Sequence, residues 1–206
     1  MTADSWTVLL SLIMGVALAA ACGFRVFLPL FILSLMVAAN KAQVSAGFAW
    51  LGDWPALLML GTATVLEIIA YYVPWLDNML DAVASPAALV AGTLVSAAFI
   101  TGMDPMLKWT LAAILGGGAA GAVQMVTVST RAVSSATTGG VANPVVSTFE
   151  WMGALLTSLL AILLPIIAVI VFVLVLALVG TWLLRHRRAH PAALRTAPVT
   201  TPTPIA

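Results

Sequence analysis

Charge is what this sequence has least of: only 7% of its 206 residues are Asp, Glu, Lys or Arg, with Lys+Arg 8 against Asp+Glu 7 and a formal net charge of +1. No basic surface exists that would neutralise a row of phosphates, so no nucleic-acid partner is expected. The single cysteine, Cys22, lies in an apolar run and has no second thiol for an intrachain disulfide or a thiolate metal site. Both histidines, His186 and His190, fall near the C-terminus, which leaves the apolar part without an imidazole to act as base, haem ligand or metal ligand. No nucleophile–base pair, metal set or phosphate motif stands out either, so neither an enzyme nor a bound metal or other cofactor is expected. What is abundant is apolar surface, with 63% hydrophobic residues and a mean hydropathy of +1.15. A chain of that composition belongs in a lipid bilayer.

The expected fold class is all-α: a polytopic transmembrane helical bundle with two broken or re-entrant helical elements. It forms a single membrane domain over 1–184, and a basic, Pro/Thr-rich disordered cytoplasmic tail follows at 185–206. Asp4 stands where a signal peptide carries positive charge, so the first segment reads as mature structure. From Trp6 to Ala39 the chain is almost entirely apolar. A straight helix of that length spans about 51 Å against a hydrocarbon core of roughly 30 Å, so it must break. Gly23, Phe24 and Arg25, with Pro29 following, mark the break between short helices at 6–22 and 27–39.

Further spans are expected at about 55–73, 86–102 and 106–128, the first flanked by Trp54 and Trp75 at the interfaces. Between the first two, Asp77 and Asp81 belong to an acidic external turn on the membrane surface. Gly117 and Gly121 in the third have the small-xxx-small spacing that lets helices approach closely. Residues 129–148 are polar for such a protein and read as an external or re-entrant loop, with Gly139, Gly140 and Pro144 as breakers. The last apolar stretch, 151–184, carries Pro165 and ends at Arg185, Arg187 and Arg188, which the positive-inside rule places in the cytoplasm. Counting back puts Lys108 and Lys41 inside as well.

Four charges must be accounted for in or near the membrane: Arg25, Glu67, Arg131 and Glu150. Glu67 lies well inside its span and is either a proton or cation site, the structural partner of Arg25 or Arg131, or a carboxyl neutralised by burial. Arg25 either binds an anionic group, serves as a structural ion-pair partner or snorkels to the interface, while Arg131 and Glu150 flank the polar segment and are either members of a polar interior or simply solvated. Ser134, Ser135, Thr138 and Asn143 are candidates to line a polar path, and Gln124 is a substrate contact or interhelical hydrogen-bonding group. A faint echo adds to this: Gly15 precedes Arg25 by the same interval as Gly121 precedes Arg131, and each half supplies one glutamate, as inverted-repeat transporters do.

Three blocks together carry a resemblance: Ala-Cys-Gly-Phe-Arg-Val-Phe-Leu-Pro-Leu at 21–30, Leu-Glu-Ile-Ile-Ala-Tyr-Tyr-Val-Pro-Trp-Leu-Asp-Asn-Met-Leu-Asp at 66–81, and the glycine-rich helix leading to Arg131, Asn143-Pro144 and Glu150. Their order resembles that of the uncharacterised small bacterial integral membrane proteins grouped as the domain of unknown function DUF4126. The resemblance implies a bacterial cytoplasmic (inner) membrane protein. It sets Gly23, Phe24, Glu67, Pro74, Asp77, Asp81, Pro144 and Glu150 at typical family positions. The chain departs from the pattern at Arg25-Val26, where many relatives have Asn-Pro, and at Tyr71, where they have an acidic residue. A fold follows from such a likeness and a function does not.

The residues point to a transporter or channel for an unidentified small solute or ion, proton-coupled through Glu67. The alternative is a non-catalytic membrane scaffold or assembly subunit. A homo-oligomer goes with the first reading and a stoichiometric protein partner with the second.

Overall fold

The computed structural model describes residues 3–164 without interruption and, beyond them, 167, 170, 173, 174, 177, 178, 180 and 181. Pro165, the arginines at 185, 187 and 188, the whole tail and the side chain of Asp77 lie outside the described residues. The chain divides into two units, Met1–Ile170 and Val171–Ala206, and everything below concerns the first.

Seven α-helices and no strand occur among the described residues: α1 Ala3–Cys22, α2 Phe27–Ala38, α3 Trp54–Tyr71, α4 Pro74–Phe99, α5 Pro105–Leu111, α6 Gly118–Thr138 and α7 Asn143–Leu163. The fold is an all-α membrane bundle. Four stretches are long and apolar enough to cross a bilayer: 54–71, 79–99, 105–138 and 143–163. The helices are amphipathic in the inverted sense. On α7 the buried positions are Asn143, Ser147, Glu150, Ala154, Ser158 and Ala161, while Val145, Phe149, Met152 and Leu156 are exposed. The same holds on α3, where Thr64, Glu67 and Tyr71 are buried and Met59, Val65, Leu66 and Ile69 face outward. Polar groups that lipid cannot solvate turn toward one another, and hydrocarbon meets hydrocarbon outside.

The first break falls where expected. The chain leaves α1 at Cys22 and begins α2 at Phe27, and Pro29 sits within the first turn of α2, where its missing N–H costs nothing. Gly23 is needed because α6 presses against it: a Cβ there would collide with the Ala120 carbonyl and lie 2.6 Å from Val123 Cβ. The second half of α1, from Ala17 to Cys22, is buried, and α1 packs on α4, α6 and α7 at the centre of the bundle.

Three expectations are corrected. The acidic stretch holding Asp77 and Asp81 is not a separate surface turn, because α4 runs unbroken from Pro74 and carries both in its opening turns. The polar region 129–148 is not a loop: α6 continues through Thr138, only 139–142 separate it from α7, and the left-handed Gly139 and Gly140 make that turn. The final stretch does not begin at Trp151, since α7 starts at Asn143 and is a full span before Leu164.

Between α5 and α6 the helix widens to a π segment over Ala112–Gly117, which lies against α4. The tightest approach there is at Gly116, where a Cβ would collide with Ser96 Cβ and the Gly92 carbonyl, and Gly92 follows, at 2.6 Å from Ala120 Cβ and 2.7 Å from the Gly116 carbonyl. Gly117 is nearly as confined, by the Thr93 hydroxyl at 2.7 Å, whereas at Gly121 a Cβ would meet Leu89 at an ordinary 3.5 Å. At the other end of these helices Lys108 Nζ donates to Ser45 Oγ at 2.8 Å, bringing the segment after α2 and the start of α5 together.

Candidate functional site

Each of the four charges singled out from the sequence is buried, and they meet in one layer. Arg25 is 3% exposed, Arg131 2%, Glu150 6% and Glu67 9%. The layer is assembled from the α1–α2 break, the last turns of α3, the first turns of α4 and α7, and the second half of α6. Arg131 and Glu150 are interior and not solvated, because their helices extend past them on both sides.

Glu150 is the hub. Arg131 donates from Nε to Oε1 at 3.0 Å and to Oε2 at 3.1 Å, and its Nη2 also pairs with Oε2. From the α1–α2 break, Arg25 Nη2 donates to the same Oε2 at 3.1 Å and to the Ser147 carbonyl at 3.2 Å. Ser147, one turn before Glu150, accepts from Arg131 Nη2 at 3.0 Å and donates to the Tyr71 carbonyl at 3.3 Å. Both guanidinium groups also lie over the Tyr71 ring, Arg25 at 3.7 Å and Arg131 at 4.3 Å from its centroid. Asp81 of α4 approaches Arg131 Nε at 3.8 Å, and its side chain keeps 14% exposure.

Glu67 is held differently. Its Oε1 accepts from the backbone N–H of Val26 at 2.9 Å and its Oε2 from that of Phe27 at 3.1 Å. The carboxylate of α3 thus caps the N-terminus of α2, where orphan N–H groups and the positive end of the helix dipole favour negative charge. It also lines a cavity of about 400 Å³ between α3 and α4, whose other walls include Phe27, Leu66, Tyr71, Leu80 and Val83. The glutamates that the sequence echo made equivalent have unlike partners.

The hydroxyl-rich residues do not converge on this layer. Thr138 is exposed at the end of α6 and bonds the Ser134 carbonyl at 2.7 Å, and Ser134 and Ser135 are half-buried. Asn143 is fully buried and donates to Ser135 Oγ at 3.0 Å, which ties the start of α7 to α6. Gln124 is buried but lines a separate groove of about 300 Å³ with Leu89 and Gly121.

Tyr71, Ser147 and Asp81 belong to the layer and were not picked out for it by sequence reasoning. Helical spacing was the available signal: Tyr71 follows Glu67 by four residues, and Ser147 precedes Glu150 by three. With all five side chains ionised, the carboxylates of Glu67, Asp81 and Glu150 outnumber the guanidinium groups of Arg25 and Arg131 by one. Such a layer can hold one further positive charge, and Glu67 is the member that opens on a cavity. Among the described residues no group of three or more His, Cys, Asp or Glu is arranged to hold a metal ion.

No curated protein and no solved structure matches this sequence. The family described as a domain of unknown function (DUF4126) matches residues 12–186, which takes in the break, the whole charged layer and the cavity. The chain belongs to that family.

Proposed function

We propose that this protein is a small transporter or channel of the bacterial cytoplasmic membrane that moves a small solute or ion, with Glu67 taking up and releasing the coupling proton. One observation carries the proposal. Glu67 is the buried carboxylate bonded to backbone N–H groups and open to a cavity, whereas Glu150 is clamped by two guanidinium groups. A charge at membrane depth is expensive, and one that faces a cavity is suited to exchange. Arg25 and Arg131 act in this scheme as fixed positive charges paired with Glu150. No catalytic step is involved.

The test is current and pH change in proteoliposomes under imposed ion and pH gradients, comparing the wild type with a folded Glu67→Gln variant. Flux lost in the variant is expected. Flux unchanged by the substitution removes Glu67 from the path.

The scaffold reading draws on a different observation. The Arg25–Glu150–Arg131 network ties α7 to α6 and to the α1–α2 break, as a brace would. Cross-linking followed by purification separates the two readings: a stoichiometric membrane-protein partner favours the scaffold, and an isolated homo-oligomer the transporter.

A further inference from the structure

We propose that the cavity between α3 and α4 binds a lipophilic organic monocation, with the Glu67 carboxylate as its counter-ion. This deepens the transport reading by naming the substrate class of the same site.

The chemistry of the walls selects the ligand. The cavity measures about 400 Å³, within the range that accommodates an organic molecule. Apart from Glu67 and Tyr71, every residue lining it has a hydrocarbon side chain. A hydrated metal cation needs six or more oxygen ligands, and here one carboxylate already accepts two backbone N–H bonds. An anion is opposed by Glu67 itself, and neither guanidinium lines the cavity. A neutral apolar molecule would leave the surplus negative charge of the layer uncompensated. A diffuse positive charge on a hydrocarbon body satisfies both features, since it needs no directional bond from the carboxylate and fills the walls. The rings of Phe27 and Tyr71 add surfaces that attract such a cation.

Access is lateral. Leu66 is 61% and Val83 66% exposed at the rim, on the faces of α3 and α4 that carry apolar residues outward. A lipophilic cation partitioned in the bilayer reaches the carboxylate without crossing the charged layer. A proton and the cation then exclude one another at Glu67: a protonated carboxyl releases its proton as the cation enters, and charge is conserved.

The experiment is equilibrium binding of tetraphenylphosphonium to the full chain in lipid nanodiscs, with empty nanodiscs subtracted. Tetraphenylborate, of the same shape and opposite charge, serves as the control. Saturable binding of the cation, at least tenfold stronger than of the anion, is expected. Glu67→Gln should weaken it tenfold or more. Ala84→Phe, which narrows the cavity while keeping every hydrogen bond of Glu67, should do the same and carries the test if the Gln variant does not fold. No saturable binding, equal binding of the two ions, or cation binding unaffected in folded variants overturns the assignment. Flux of another solute without cation binding overturns this ligand and leaves the transport reading standing. Cation binding without flux of any ion does the reverse.

Discussion

Glu150 and Glu67 are the same side chain in one buried layer, yet the regions around them are built to opposite ends. Around Glu150, two guanidinium groups from distant parts of the chain converge on one carboxylate, and Ser147 and Tyr71 occupy much of the remaining space. Around Glu67 there are two backbone N–H groups on one side and a hydrocarbon cavity on the other. A carboxylate neutralised by fixed cations cannot lose its charge without leaving those cations stranded. One stabilised by backbone dipoles keeps a neutral form within reach, because an N–H donor tolerates an uncharged acceptor.

The largest effect should therefore come from Glu150→Gln. It leaves Arg25 and Arg131 buried beside an amide, and removing one partner of a buried ion pair costs about 3–5 kcal/mol. Thermal unfolding in detergent measures it, and a loss below about 1 kcal/mol would mean that water or lipid headgroups already screen the network. Glu67→Gln comes next, at about 1–3 kcal/mol. It forfeits one charge-assisted bond to the start of α2, and the damage should be local: faster hydrogen exchange at Val26 and Phe27, with the α6 and α7 amides unchanged. If the order of these two losses is reversed, the contrast between the regions is wrong.

Tyr71 sharpens the comparison because it borders both regions, lying under both arginines and lining the cavity. Tyr71→Phe keeps the ring and should change stability by less than about 0.5 kcal/mol, whereas Tyr71→Leu should cost about 1–2 kcal/mol through two lost cation–π contacts and altered packing. Chemical denaturation of the two variants side by side separates ring from hydroxyl. Tyr71 is in direct contact with Arg25, so the substitution reports on the α1–α2 break as well as on α3.

Much of this could be read from the residues, and the limit has a physical cause. The break at 23–26 was legible because an apolar run too long for one crossing contains a glycine beside a charge. Trp54 and Pro55 announced α3, and the depth of Glu67 followed from its place in that helix. The 129–148 segment was misread because serines, threonines and an arginine were judged by the rule for water, where polar residues mark loops. In a bilayer bundle they mark the interior: Gln124, Thr127 and Arg131 are spaced by three and four residues and form the buried stripe of α6. Which carboxylate pairs with which arginine was not legible at all, since Arg25 and Glu150 are 125 positions apart and no local spacing encodes their meeting.

Asp81 tests the edge of the comparison and should have the smallest effect. It is the one acidic member of the layer with appreciable side-chain exposure, and its oxygen stands 3.8 Å from Arg131 Nε, beyond hydrogen-bond reach for that pair. An amide of the same shape keeps that side chain's packing, so Asp81→Asn should cost less in unfolding than Glu150→Gln. Its electrostatic consequence is larger than its structural one. Without Asp81 the two remaining carboxylates equal the two guanidinium groups, and the surplus negative charge that favours a cation at Glu67 is gone. Asp81→Asn should therefore weaken tetraphenylphosphonium binding severalfold, with thermal stability lowered less than by Glu150→Gln. Unchanged binding would show that Glu67 attracts the cation by itself and that the layer contributes only the frame.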